Sequence, residues 1–398
     1  MSPIDVKGIV NESPTGAKGR RRSFLLFTSA LLILSILSSS ILAGCGGPSP
    51  EELAAVHYTP LTLDDWPVST PEEQGLDPML VAELYHNAEQ SETLYGLLVI
   101  KNGYLVAEKY FHGKSASQLS SRASVTKSVT SALVGIALEQ GCLSSADQKM
   151  IDFFPELADR IKDPRKKQIT IRQMLQMRAG YPWEESSQEL IDLMFSGFRT
   201  RNLVDVPLAR DPGSGFDYSN LTAHLLGIIV ARACDTDLKS FAEEHLFSPM
   251  GAGVGFWLQG WEGYYIGFAD MEITARDMAK FGQLYLDDGQ FEGNQIVPAD
   301  WVRDSLATYS EDAWYYRVGK NWKDSAYGYQ WWSIRAGDHR YNLAWGHGGQ
   351  QIAILDEMDL VVVATADPLY KQHGDQPWKL EKVNLNLVAD FIASLPAD

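Results

Sequence analysis

Strand-like segments near both ends of the chain enclose a long helical middle, and this order strongly constrains the fold. Residues 95–111 alternate apolar and polar positions around Asn102-Gly103, a strong two-residue hairpin signal. The pattern is mostly helical from residue 124 to about 267, and strand-like segments return from about residue 327. Early and late strands around a helical insertion predict an α+β fold, with one antiparallel sheet built from both ends of the chain.

The remaining elements follow from periodicity and from turn residues. Helices are predicted at residues 80–90, 124–140, 221–233, 238–245 and 379–395. Late strands are predicted at residues 327–334, 342–347, 351–355 and 360–365. Helices would cover the sheet, and a helical subdomain would lie beside it.

Ser124-Val125-Thr126-Lys127 is the only Ser-x-x-Lys in the chain, and it begins a predicted helix. Side chains three residues apart lie on one face of a helix, so the Ser124 hydroxyl and the Lys127 amine can come within hydrogen-bond distance. A lysine accepts a hydroxyl proton only when neutral, which requires burial or the positive end of the helix dipole to lower its pKa. The alternative is an ordinary N-cap serine.

Two further motifs follow downstream. Residues 211–220 form a Pro-Gly turn that leads into Tyr218-Ser219-Asn220, and residues 345–350 are Trp-Gly-His-Gly-Gly-Gln. Three motifs in this order resemble the serine β-lactamase and penicillin-binding superfamily, in particular class C β-lactamases, their esterase relatives and 6-aminohexanoate-dimer hydrolases. The resemblance covers roughly residues 60–395, with residues 170–180, 274–282 and 327–332 similar to further family segments.

The resemblance implies a β-lactamase/transpeptidase-like fold, in which an antiparallel sheet flanked by helices meets a mostly helical subdomain at the active site. We expect one hydrolase domain over residues 58–398. Its sheet subdomain would comprise about 58–122 and 270–398, and its helical subdomain about 123–269.

The resemblance also implies acyl transfer through Ser124, with Lys127 as the base. Tyr218, if Lys127 holds it partly ionised, would pass a proton to the leaving group and later activate water. Asn220 would hydrogen-bond Lys127 or the substrate. The backbone N–H groups of Ser124 and Gln350 would form the oxyanion hole.

His347-Gly348-Gly349 stands where β-lactamases usually carry Lys-Thr-Gly or Lys-Ser-Gly. Gly348 and Gly349 would allow the substrate to approach the backbone closely. A histidine that is mostly neutral at pH 7 would supply less positive charge to a β-lactam carboxylate than a lysine does. His-Gly-Gly is similar to the motif of esterases and linear-amide hydrolases in this family, so we expect poor β-lactam turnover. A strand histidine without a functional role is the alternative for His347.

Aromatic residues are expected to line an apolar acyl or alcohol pocket, although ordinary packing is an alternative for each of them. The candidates are Trp183, Trp257 and Trp345, with Trp261, Trp314, Tyr315 and Tyr316 as further loop aromatics. Asp270-Met271 stands where relatives often have a glycine pair, and its side chains are expected to narrow the pocket.

Composition restricts the possible partners. The chain has 398 residues and 45% hydrophobic content, enough for a large core. Its net charge of -17 argues against nucleic acid, because phosphates would be repelled. The eight histidines show no metal-ligand spacing, so no metal is expected. The resemblance implies a small ester or amide as the partner and no other cofactor. A Gly-x-Ser-x-Gly elbow, typical of α/β-hydrolases, is missing from the sequence.

Residues 1–44 predict a signal peptide, with three arginines, an apolar run and small residues before Cys45. Leu42-Ala43-Gly44-Cys45 resembles the bacterial lipobox, which implies cleavage between Gly44 and Cys45 and acylation of Cys45. The protein would then be a lipoprotein, anchored to a membrane through a tether at 45–57 and facing the periplasm or the outside.

Three points about export stay open. An uncleaved anchor is the alternative to a lipoprotein, because an apolar run of roughly 20 residues can just span a bilayer. Arg21-Arg22 fits the twin-arginine route, but the general secretory route fits equally. Outside the cytoplasm Cys142 and Cys234 could form a disulfide, and the sequence alone does not fix their distance.

Three functions are compatible with these motifs. A serine hydrolase of esters or linear amides is the main hypothesis. A β-lactamase or D-amino-acid peptidase acting on cell-wall material is the second, and His347-Gly348-Gly349 counts against it. The third is a binding or sensor protein without turnover, and the complete set of Ser124, Lys127 and Tyr218 counts against that.

Overall fold

The computed structural model describes residues 47–372 and 376–397. The α-helices are α1 (Pro50–Ala54), α2 (Pro78–Ala88), α3 (Val125–Glu139), α4 (Ile171–Leu175), α5 (Gln188–Phe195), α6 (Asn202–Asp205), α7 (Asn220–Ala233), α8 (Leu238–Ala242), α9 (Ala275–Leu286), α10 (Ala299–Leu306) and α11 (Pro377–Ser394). The strands are β1 (Leu94–Lys101), β2 (Tyr104–Tyr110), β3 (Ser120–Ser121), β4 (Glu272–Ile273), β5 (Gln290–Phe291), β6 (Asn294–Gln295), β7 (Ser310–Glu311), β8 (Lys323–Tyr327), β9 (Trp332–Ala336), β10 (His339–Gly346), β11 (Gln350–Leu355) and β12 (Leu360–Ala366).

An eight-stranded antiparallel sheet forms the centre of the fold, in the order β2-β1-β12-β11-β10-β9-β8-β7. Strand β1 pairs with β12, with Leu98 opposite Val363, so the two ends of the chain meet in the sheet. Asn102 and Gly103 have φ values of 52° and 76°, as a tight two-residue hairpin turn requires. The predicted α+β fold, with a sheet built from both ends of the chain, is confirmed.

Helices cover both faces of this sheet. Gln351 Nε2 donates a hydrogen bond of 2.9 Å to the backbone carbonyl of Asn384 in α11. A Cβ atom on Gly282 of α9 would lie 2.8 Å from Ile352 Cγ2. Because successive side chains of a strand point to opposite faces, α9 covers one face and α11 covers the other. Helix α2 contacts both α11 and β1.

Helix α3 is central to the molecule. All its residues from Val125 to Ala137 are buried, and it contacts α7, α10, β10 and β11. Its start lies against the end of β10, because a Cβ atom on Gly346 would be 2.3 Å from the carbonyl oxygen of Arg122. The Ser-x-x-Lys motif and the His-Gly-Gly loop are therefore neighbours in space.

Arg276 joins α9 to the sheet through a buried ion pair. Its Nε and Nη2 atoms donate hydrogen bonds of 2.8 and 2.6 Å to the two carboxylate oxygens of Glu108 in β2. Nη2 also donates to the carbonyl of Leu61 at 2.7 Å. Arg276, in the segment 274–282 that resembles a family helix, thus attaches both α9 and the N-terminal segment to the sheet.

Three predicted elements differ from the structure. The predicted strand 327–334 comprises the end of β8, a turn and the start of β9, because Gly328 lies tightly against the Ser305 carbonyl and Gln330 has a φ of 64°. The predicted helix 238–245 is α-helical only as α8 and continues in π-helical geometry over Glu243–Phe247. The predicted tether contains α1, whose Leu53 is buried.

The predicted signal peptide and Cys45 lie outside the described residues. Among residues 47–372 and 376–397, no helix combines the length and apolar character needed to cross a membrane.

Cys142 and Cys234 form a disulfide, with their Cα atoms 5.0 Å apart. Cys142 lies just after α3 and Cys234 just after α7, so the bridge joins the ends of two helices that pack on each other.

We expect that replacing both cysteines by alanine lowers the free energy of unfolding by about 2–5 kcal/mol, because the bridge restricts the unfolded chain. The two cysteines are 92 positions apart, so a long loop is closed. Urea unfolding of the oxidised wild type and of the double variant measures the difference. As a control, a reductant should lower the unfolding midpoint of the wild type but not that of the variant. Equal midpoints for the two oxidised proteins would contradict the prediction.

Candidate active site

Ser124 lies directly before α3, and its hydroxyl is hydrogen-bonded to Lys127. The Nζ atom of Lys127 is 2.9 Å from Ser124 Oγ. The Ser124 side chain makes no capping hydrogen bond to α3, which removes the N-cap alternative. Ala123 has a φ of 45°, a conformation that alanine rarely adopts, so the backbone is strained just before Ser124.

Lys127 is 1% exposed, and its Nζ atom also donates a hydrogen bond of 3.0 Å to the Phe268 carbonyl. Burial lowers the pKa of Lys127 to about 7, although the carboxylates of Glu185 and Glu184 act in the opposite direction. A large fraction of the amine is therefore neutral near pH 7. In that form its lone pair is able to accept the Ser124 proton.

Tyr218 lies beside this pair. Lys127 Nζ is 4.7 Å from the centre of its ring, and the interaction of its hydroxyl with the Ser124 side chain lowers its pKa, against a larger effect of burial. Burial raises the pKa of Tyr218 above its ordinary value, and the carboxylates of Glu185 and Glu184 add to the effect. The expectation that Lys127 holds Tyr218 partly ionised is therefore wrong for the resting site. Tyr218 is protonated there.

Glu184 holds the start of α7, two residues after Tyr218. Its carboxylate accepts hydrogen bonds from Ser219 Oγ at 2.7 Å and from the backbone N–H groups of Asn220 at 2.8 Å and Leu221 at 3.0 Å. A carboxylate at a helix N-terminus satisfies N–H groups that lack partners within the helix. This contact fixes Tyr218 relative to α7.

Asn220 contacts Glu185 instead of Lys127. Its Nδ2 atom donates a hydrogen bond of 3.2 Å to Glu185 Oε1. In the described part of the chain, a contact with Glu185 therefore replaces the expected contact with Lys127. Glu185 lies outside the three sequence motifs.

Both ring nitrogens of His347 face carboxylates. Nε2 is 3.5 Å from Glu185 Oε2, and Nδ1 is 3.3 Å from Glu381 Oε2. Because carboxylates only accept hydrogen bonds, a ring with a hydrogen on each nitrogen, an imidazolium, suits both partners of this side chain, which is 42% exposed. Burial acts against this charge, but Glu381 and Glu185 raise the pKa of His347 to about 9. The expectation of a mostly neutral histidine at pH 7 is wrong.

Helix α11 packs against the His-Gly-Gly loop and binds it through two side chains. Fully buried Glu381 also accepts hydrogen bonds from Trp345 Nε1 at 2.9 Å and from the Tyr370 hydroxyl at 2.6 Å. One turn later, Asn384 Nδ2 donates a hydrogen bond of 2.8 Å to the carbonyl of Gly348. The position and the charge of His347 thus depend on α11, a helix that follows the last of the three motifs in the chain.

Gly348 and Gly349 have φ values of 85° and 91°, which favour glycine. A Cβ atom on Gly349 would lie 2.4 Å from the Cβ of Asn384. Close packing against α11 therefore requires glycine at Gly349, whatever its role toward the substrate.

Gln350 begins β11, opposite Gly346 of β10. Its side-chain oxygen accepts hydrogen bonds from Arg122 Nη1 at 3.2 Å and from the Ala366 N–H at 3.1 Å. Arg122 is buried and lies two residues before Ser124. This contact ties together the two segments that were expected to form the oxyanion hole. Its role in catalysis stays a prediction.

The Beta-lactamase family model matches residues 88–380. The chain belongs to the Beta-lactamase family. This family consists of hydrolytic serine enzymes, and the predicted membership of the serine β-lactamase-like superfamily is confirmed.

Several relatives of the family can be compared with the chain. A 6-aminohexanoate-dimer hydrolase from Paenarthrobacter ureafaciens is 26% identical over 283 residues, which are 67% of this chain and 70% of that protein. An octameric penicillin-binding protein homologue from Pyrococcus abyssi has a TM-score of 0.58 at 16% identity, covering 78% of this chain and 77% of its own. EstCE1, a hydrolase with promiscuous acyltransferase activity, has a TM-score of 0.57 at 16% identity, covering 73% and 94%. The structural matches confirm the predicted β-lactamase/transpeptidase-like fold.

Aromatic side chains extend from Tyr218 away from the Ser–Lys pair. The Tyr218 ring stacks on Trp332, with centroids 5.6 Å apart. Trp332 contacts Trp345 at 5.5 Å and Trp314 at 5.9 Å, and Trp183 contacts Trp314 at 6.0 Å. We call Trp183, Trp314, Trp332 and Trp345 the aromatic wall. The pocket candidates Trp183 and Trp345 thus belong to one cluster in this member of the Beta-lactamase family.

Other pocket candidates have different surroundings. Trp257 is 2% exposed, and its Nε1 atom donates to the Ile266 carbonyl at 2.8 Å, which is typical of a core residue. Trp261 and Tyr315 are exposed. Met271 is fully buried, and Asp270 accepts a hydrogen bond of 2.8 Å from Ser121 Oγ. Met271 is thus a core residue, and the narrowing of the pocket by Asp270-Met271 stays a prediction.

The pKa of Lys127 predicts the acid limb of the pH profile. With Lys127 as the predicted base, only its neutral form accepts the Ser124 proton, so kcat/KM for a non-ionising ester should rise with pH and level off above about 7. Lys127→Arg keeps its charge throughout, so we expect kcat/KM to fall by about 10²- to 10⁴-fold. Exposed Lys320→Arg is the matched control and should keep the wild-type profile. A wild-type profile that is flat through pH 7 would contradict the assignment.

Proposed function

We propose that the protein hydrolyses esters or linear amides through an acyl-Ser124 intermediate. The observation that carries this proposal is the 2.9 Å contact between Lys127 Nζ and Ser124 Oγ, made by a lysine whose burial lowers its pKa to about 7. Membership of the Beta-lactamase family supports the same chemistry.

In the proposed acylation, neutral Lys127 takes the Ser124 proton as the oxygen attacks the acyl carbon. Protonated Tyr218 gives its proton to the leaving group and regains one from the Lys127 ammonium. In deacylation, water attacks the acyl carbon and passes a proton through Tyr218 to Lys127; as the bond between the acyl carbon and Ser124 Oγ breaks, the Lys127 ammonium gives a proton to Oγ. The backbone N–H groups of Ser124 and Gln350 would stabilise the oxyanion, each by about 3 kcal/mol.

The substrate is proposed to carry an apolar acyl or alcohol group that packs on the half-buried members of the aromatic wall, Trp183 and Trp314. The 6-aminohexanoate-dimer hydrolase relative supports linear amides as substrates, and EstCE1 supports acyl transfer more generally.

One observation favours the second function, a β-lactamase or D-amino-acid peptidase. His347 is an imidazolium, so it supplies positive charge at the position of the family's lysine. A positive charge there can attract the carboxylate of a β-lactam, which a neutral histidine would do less well. A sensor without turnover is less favoured, because a base at Lys127 and a proton donor at Tyr218 both contact Ser124.

A direct test uses the chain from residue 46 to 398 with three substrates: p-nitrophenyl hexanoate, a chromogenic cephalosporin and a linear 6-aminohexanoate dimer. We expect turnover of the ester or the dimer, slow or no turnover of the cephalosporin, and none by Ser124→Ala. Fast cephalosporin hydrolysis would establish the second function. A stable acyl-Ser124 without release would establish the sensor.

Tyr218→Phe should separate proton donation from the other roles of the site. The variant lacks the donor, so we expect kcat/KM, which reports acylation and not deacylation, to fall by about 10²- to 10⁴-fold with an alkyl ester. The loss should be smaller with a p-nitrophenyl ester, whose leaving group needs no proton. Tyr104→Phe, at an exposed tyrosine, is the control. Equal losses with both esters would argue against Tyr218 as the donor.

Anchoring through acylated Cys45 is a separate part of the proposal. It rests on the Leu-Ala-Gly-Cys pattern. Cys45→Ser in the full chain should abolish incorporation of labelled fatty acid, and unchanged labelling would contradict it.

A further inference from the structure

Two donors that were expected to meet the substrate converge instead on one carboxylate. His347 Nε2 is 3.5 Å from Glu185 Oε2, and Asn220 Nδ2 donates to Glu185 Oε1 at 3.2 Å. Each carboxylate oxygen thus faces one donor, one of them charged. This is the way in which two donors bind a carboxylate of a ligand.

Glu185 differs from the other two glutamates of the site. Glu184 is fully buried and accepts hydrogen bonds from the start of α7. Glu381 is fully buried and accepts hydrogen bonds from Trp345 and Tyr370. The Glu185 side chain is 29% exposed and lies in the short turn Glu184–Ser186, so it can exchange its protein contacts for water.

We propose that Glu185 is a specificity-determining residue: its carboxylate occupies the donors of His347 and Asn220, and so disfavours substrates whose acyl group carries a carboxylate. The proposal rests on the proposed hydrolase function and names its substrate class. Neutral acyl groups are favoured, because they require neither the displacement of Glu185 nor a second negative charge beside it.

The charges around His347 support this selection. Its ring faces Glu185 from the turn before α5, Glu381 from α11 and the Tyr370 hydroxyl, which is 3.5 Å from Nδ1. One positive ring between two carboxylates leaves a net negative group. Burial opposes ionisation of Glu185, but His347, Lys371 and Asn220 lower its pKa to about 2. Glu185 therefore stays negative across the working pH range.

The test compares two p-nitrophenyl esters with six-carbon acyl chains: the neutral hexanoate and the anionic hemiester of adipate. In Glu185→Gln the side chain keeps its shape and loses its charge. We expect the ratio of kcat/KM for adipate over hexanoate to rise at least about tenfold relative to wild type, which corresponds to 1.4 kcal/mol. Exposed Glu189→Gln, in α5, makes the same change of net charge and should leave the ratio unchanged.

Salt dependence provides a second readout that needs no variant. In the wild type, added salt should raise kcat/KM for the adipate hemiester relative to the hexanoate, because it screens the repulsion by Glu185. The effect should be smaller in Glu185→Gln.

The outcomes separate this inference from the function on which it rests. If the hexanoate ester is hydrolysed but the ratio in Glu185→Gln equals that of the wild type, the inference about Glu185 is overturned and the hydrolase function stands. If the wild type acts on neither ester any faster than Ser124→Ala, the proposed hydrolase function itself is overturned.

Discussion

Burial of Lys127 is the interaction on which the rest of the site depends. An ammonium group loses hydration when α3 is enclosed by α7, α10 and the sheet, and the free energy of the charged form rises. The Phe268 carbonyl accepts one hydrogen bond from Nζ, which orients the amine toward Ser124 at 2.9 Å without supplying a formal negative charge. A carboxylate at that place would hold the lysine protonated. The pKa of about 7 is therefore a consequence of how the helical layer packs.

Three glutamates near the site would undo this effect if their charges were unpaired. Glu184 is neutralised in part by the N-terminus of α7, whereas Glu185 and Glu381 share the imidazolium of His347. The positive charge of His347 thus limits how far these carboxylates stabilise protonated Lys127. Burial keeps Tyr218 in its protonated form, and the negative charges of Glu185 and Glu184 add to this effect. Base, donor and histidine therefore depend on one arrangement of charges.

The sequence was most informative where chemistry is local. Ser124 and Lys127 are three residues apart in one helix, so their contact follows from helix geometry, and Asn102-Gly103 determined its own turn. The ionisation of His347 could not be predicted, because its partners Glu185 and Glu381 come from a turn and a helix distant in sequence. A signal for Glu381 did exist: it lies on the buried face of α11 with Asn384, Leu385 and Val388, where an apolar residue is expected. The missed turn between β8 and β9 also depends on a distant contact, with the Ser305 carbonyl.

The sheet explains how such distant residues meet. Because β1 pairs with β12, the chain must return across the molecule before α11 can pack under the His-Gly-Gly loop. Arg122, two residues before Ser124, binds Gln350 at the start of β11. Glu381 of α11 binds His347, which lies three residues before Gln350. The segment before Ser124 is thus held by the contact between Arg122 and Gln350, and the His-Gly-Gly loop by the contact between His347 and Glu381. Loosening α11 would therefore disturb the charge of His347 before it disturbed the Ser–Lys pair, because Lys127 lies in α3 and Ser124 directly before it. The geometry of the Ser–Lys pair is therefore independent of the contacts made by α11, whereas its electrostatics is shared with His347 through Glu185.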